Sequence, residues 1–167
     1  MSAPPGGLYR PEFERDNCGF GLIAHMDGNP SHWVVDTAIK ALARLTHRGA
    51  IAADGKTGDG CGLLMKKPDA FLREIAADAG FELGSQYAAG IVFLNTDAAL
   101  ADTARDTLNK NLQAEGLTVA GWRVVPTDTS ACGAEALKTL PVIEQVFVNA
   151  GADQDAAAFE RTLFIAR

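Results

Sequence analysis

DNCGFG, residues 16–21, is the stretch on which the fold assignment turns. A single cysteine, Cys18, stands between Asp16-Asn17 and the Gly19-Phe20-Gly21 triplet, at the head of the apolar run Leu22-Ile23-Ala24. A thiol is mostly protonated at neutral pH, so thiolate chemistry needs a base or a depressed pKa. His25 lies seven residues along the same predicted strand and faces the other side, and His47 reaches Cys18 only through the fold. Cleavage between Asn17 and Cys18 would supply a base directly. The new α-amino group, with a pKa near ~8, would sit on the nucleophile's own residue, as in the threonine/N-terminal-amine pairing. Residues 1–17 would then be a removable leader, with Asn17 on the acyl side of the cut bond. Gly19 and Gly21 would leave room for substrate and backbone donors. The competing reading is a structural cysteine, since cysteine is among the most often buried residue types.

Composition narrows the classes. The 167 residues suffice for one ordinary domain. A hydrophobic fraction of 47% with 22% charged residues is that of a globular protein. Net charge is −6, and Lys66-Lys67 is the only adjacent basic pair, which argues against nucleic acid as the main partner. No apolar run approaches the ~20 residues of a membrane helix. The first sixteen residues carry both charge signs and no apolar core, unlike a secretory signal. Three irregularly spaced cysteines make no disulfide framework, so a reduced cytoplasmic protein is expected.

Working outward from the cysteine, Cys18–His25 is predicted as a strand and Met26–Pro30 as a turn. Ser31 is predicted to cap a helix with apolar residues Val34, Val35, Ala38, Ile39, Leu42 and Leu45, stopped by Gly49. A glycine-rich loop, DGKTGDGCG (54–62), leads to a strand at Leu63-Leu64-Met65. Pro68 opens a helix that ends at Gly80. From Tyr87 the pattern alternates. It gives a strand at 87–94, a helix capped by Asp97 with Leu100, Ala104, Leu108 and Leu112 on one face, and a strand at 117–125. A short helix near 134–140, a strand at 142–148 and a helix from Asp155 running into a strand at RTLFIAR follow. A strand at the last residue would signal an unfinished domain. Periodicity alone allows a parallel α/β sheet from residue 87 onward.

The remaining polar residues have plainer roles. DGKTGDG lacks the Gly-Lys-Ser/Thr ending of a phosphate-binding loop and carries two aspartates; it is better taken as a tight turn near the active site, with Asp59 fixing backbone donors. Cys61 is expected to be a small buried residue at a strand head, Cys132 structural, and Trp33 and Trp122 packing aromatics. His47 suits a helix C-terminus, and His25 and His32 suit surface or packing positions. No Cys-x-x-Cys or His-x-x-x-His spacing suggests a metal site.

ERDNCGFGLIAHMDGNPSH, ALARLTHRGAIAADGKTGDGCGLL and KPDAFLR together resemble the N-terminal region of bacterial glutamate synthase large subunits. That region is a class II glutamine amidotransferase domain of the N-terminal-nucleophile type. GWRVVPTD (121–128), LPVIEQVFVNA (140–150) and RTLFIAR extend the resemblance to the whole chain. It implies an α+β fold, a four-layer αββα sandwich with two facing antiparallel sheets, incomplete in this chain. Residues 1–17 would be the propeptide and 18–167 the first part of the domain. Cys18 would attack the side-chain amide of glutamine, with its freed amino group as general base. Arg48, in THRG, would orient the site through its fixed fork of donors; Gly19 and Asp59 would belong to the active-site loops.

The same resemblance implies that ammonia passes to a flavin site, where 2-oxoglutarate becomes glutamate. FMN and an iron–sulfur cluster are expected in the full-length protein and none in this segment. The remaining synthase domains and a small NADPH-oxidising subunit are the expected partners. The family's glutamine-binding arginine, substrate-binding aspartate and Asn-Gly oxyanion pair fall beyond residue 167, and no Asn-Gly dipeptide occurs here. Each missing oxyanion donor costs about 3 to 4 kcal/mol, so the 167 residues alone are expected to be inactive. The alternative is a non-catalytic amidotransferase-like fragment serving as a binding or structural module.

Overall fold

The computed structural model describes residues 19–45, 51–58, 60–152 and 154–167. The chain divides into two compact units, 1–64 and 65–167. The described parts are α+β, with five helices and one three-stranded sheet.

In the first unit, helix α1 spans His32–Ala43. Ser31 occupies the N-cap with extended backbone, but its side chain makes no capping bond. The helix ends at Arg44, short of the expected Gly49, which lies outside the described residues. Residues 19–25 and 63–65, both predicted as strands, are irregular, and Phe20, Leu22 and Leu64 are almost fully exposed. An apolar run becomes a strand only where a neighbouring strand takes its backbone groups, and no described strand lies in this unit.

The second unit opens with α2 (Asp69–Asp78), starting after Pro68 as the sequence predicts. Gly80, at φ 78°, turns the chain out of the helix. Strand β1 (Tyr87–Leu94), helix α3 (Ala98–Ala114), strand β2 (Thr118–Val124), helix α4 (Ala134–Lys138), strand β3 (Val142–Asn149) and helix α5 (Ala156–Ala166) follow. Asp97 caps α3 through the Leu100 N–H at 3.1 Å, and Asp155 caps α5 through the Ala158 N–H at 2.8 Å.

The sheet order is β1-β3-β2, and both pairings are antiparallel. This corrects the parallel sheet that periodicity allows. β1 and β2, joined through α3, do run in the same direction, but β3 inserts between them, giving a split β-α-β arrangement. The central position of β3 explains its burial: Glu144 to Val148 are all buried. Leu112, Val146, Val148, Phe159 and Ala166 build the core between the sheet and helices α3 and α5. Leu72, Ala76, Tyr87 and Phe147 build a second core against α2 on the opposite face. A bulge between Val119 and Gly121 lets Val119 and Trp122 both face the first core, while Ala120 packs into the second.

Two further expectations change. The α3 face that packs inward runs through Ala101, Leu108 and Leu112, and Leu100 is exposed. The final RTLFIAR is helix, not strand: Phe159, Leu163 and Ala166 recur at helical spacing and enter the core, leaving Phe164 and Ile165 outside.

Candidate active site

The first unit carries the residues the sequence singled out. Asn17, Cys18, Arg48, Asp59 and His47 lie outside the described residues; Gly19 is described, in an exposed, irregular segment. That segment closes in a turn, where the Gly28 N–H donates to the His25 carbonyl at 3.0 Å and the Asp27 N–H to His25 Nδ1 at 3.3 Å. His25 and His32 are exposed, in keeping with surface positions.

The glycine-rich loop is a tight hairpin, as its composition suggests. Ile51 and Gly58 form an antiparallel bridge, and the Ala52 N–H donates to the Thr57 carbonyl at 2.7 Å. Asp54 organises the turn. Its Oδ1 accepts from the Lys56 and Thr57 N–H groups at 3.0 and 2.8 Å, and its Oδ2 from the Thr57 hydroxyl at 2.6 Å. Asp59, expected to fix backbone donors, lies outside the described residues, and the sequence reading assigns no role to Asp54. The signal was present, since aspartate heading a glycine turn bonds the backbone two residues on. Cys61 was expected buried at a strand head; it is exposed in irregular chain. Trp33, expected to pack, is 61% exposed on α1. Among the described residues, no three His, Cys, Asp or Glu side chains gather as a metal cluster.

The polar groups of the second unit are arranged for structure. Buried Glu144 is held by Arg105 and buried Gln145 by Arg123 at 2.9 Å. The half-buried Trp122 donates its indole N–H to Asn109 at 2.9 Å, a packing role as expected. Lys67 and Arg73 both lie over the Tyr87 ring, at 4.0 and 4.8 Å from its centre. Burial, and then the hydrogen bond and charge of Asp69, push the Tyr87 phenol up to about 12. Arg73 in turn holds the Asp69 carboxyl below its ordinary range, with help from the Tyr87 hydroxyl. No described helix is long and apolar enough to cross a membrane.

The family model of class-II glutamine amidotransferases matches residues 18–167, so the chain belongs to that family. Among curated proteins, the chain is 40% identical to the glutamate synthase [NADPH] large chain of Bacillus subtilis, over 96% of this chain and 11% of that protein. It is 35% identical to the glutamate synthase [NADH] of Schizosaccharomyces pombe, over 96% of this chain and 8% of that protein. It is also 35% identical to ferredoxin-dependent glutamate synthase 2 of Synechocystis, over 92% and 10% respectively. The chain thus spans about a tenth of these relatives' length.

Proposed function

We propose that this chain is the leading part of the glutaminase region of a glutamate synthase, with Cys18 as an N-terminal nucleophile. The observation that carries this is the family match, which opens on Cys18 and runs to the last residue. In this reading residues 1–17 are a propeptide removed at the Asn17-Cys18 bond, and the family fold is the four-layer αββα sandwich. The α-amino group of Cys18 takes the proton from Sγ, and the sulfur attacks the side-chain amide carbon of glutamine. The tetrahedral adduct collapses as the amine returns the proton to the departing nitrogen. The C–N bond breaks, ammonia leaves and a glutamyl thioester remains. Water then cleaves the thioester to glutamate and regenerates the thiol. Arg48 orients the site, and Gly19 and Asp59 shape the loops around it.

The family's Asn-Gly oxyanion donors do not occur in these 167 residues, so we assign the activity to the longer polypeptide and none to this segment alone. Ammonia released there would feed glutamate formation from 2-oxoglutarate in the remaining synthase domains. FMN, the iron–sulfur cluster and the small NADPH-oxidising subunit belong to those parts, and the setting is cytoplasmic.

The test is the intact mass and N-terminal residue of the protein from its own cell, followed by a glutamine-analogue diazo-ketone. A chain beginning at Cys18 that takes up one label on that residue is the expected result. A chain that keeps its leader, or a processed chain with Cys18 unlabelled, overturns the nucleophile assignment.

A further inference from the structure

We draw no further inference here: the strongest candidate, the apolar groove of the second unit that β1 forms with helices α3 and α5, lined by Gly90, Val92, Leu108, Leu112, Leu163 and Arg167, carries nothing because nothing in the structure shows what covers it.

Discussion

The guanidinium of Arg105 grips the carboxylate of Glu144 at two points, Nε to Oε2 at 2.8 Å and Nη2 to Oε1 at 3.0 Å. Asp102 adds a third contact from one turn earlier on α3. The pair ties the crossover helix to the central strand, and Glu144 is 6% exposed. Breaking one side of such a pair leaves a buried charge without its partner, whereas replacing both sides with apolar groups removes the need for one. Arg105→Met should therefore lower the urea midpoint clearly, and Arg105→Met combined with Glu144→Met should recover roughly half of the loss or more. A double variant no more stable than the single one would show that the unpaired Glu144 carboxylate is not the source of the loss.

Phe147 is fully buried at the centre of β3 and meets the Phe81 ring at 6.0 Å between centroids. Phe147→Ala should cost about 3 to 5 kcal/mol in unfolding free energy from chemical denaturation. A loss under about 1 kcal/mol would mean that the α2 side of the sheet is not packed as described.

Gly121 is needed for its lack of a side chain. A Cβ there would run into the ring of Phe81. Gly121→Ala should destabilise by about 1 to 3 kcal/mol. Adding Phe81→Leu should cost less than the two single changes summed, because the second makes room for the first. Strict additivity would remove the steric explanation.

Tyr87 should ionise late. Its folded pKa is about 12 against an ordinary 10.0, so the neutral phenol is favoured in the fold. Its contribution to stability is complete below pH 10 and is lost as pH rises through 12. Asp69 has the opposite sign: with its folded pKa lowered, its contribution is present above the ordinary 3.8 and is lost as pH falls below it. A Tyr9→Phe variant, leaving Tyr87 as the remaining tyrosine, should show tyrosinate absorbance rising only near the upper value. Titration at the ordinary value would place the ring in water.

On the proposed reading, Cys18→Ala in the longer polypeptide should remove glutamine-dependent glutamate formation, a loss of at least about a hundredfold, while ammonia-dependent formation continues. Parallel assays with the two nitrogen sources decide it. Loss of both activities would identify Cys18 as a structural residue.

Much of this protein was legible in one dimension. Asp97 and Asp155 announce their helices because a capping carboxylate acts within three residues of itself. The helical spacing in 98–114 and the apolar runs at 87–94 and 142–148 mark elements whose periodicity is local. The family is carried by short motifs, CGFG, HRGA and TGDGCG, that need no fold to be recognised. What tertiary structure decided is where those elements go. β3 enters between β1 and β2 and makes an apparent parallel pair into an antiparallel sheet, since strand partners are chosen across long sequence separations. Glu144 and Gln145 are polar in sequence yet buried, because Arg105 and Arg123 arrive from α3 and β2 to satisfy them. RTLFIAR has the composition of a strand, but the Phe159, Leu163 and Ala166 face meets the sheet only as a helix. Strand or helix was settled there by the surface available for packing, which no run of seven residues contains.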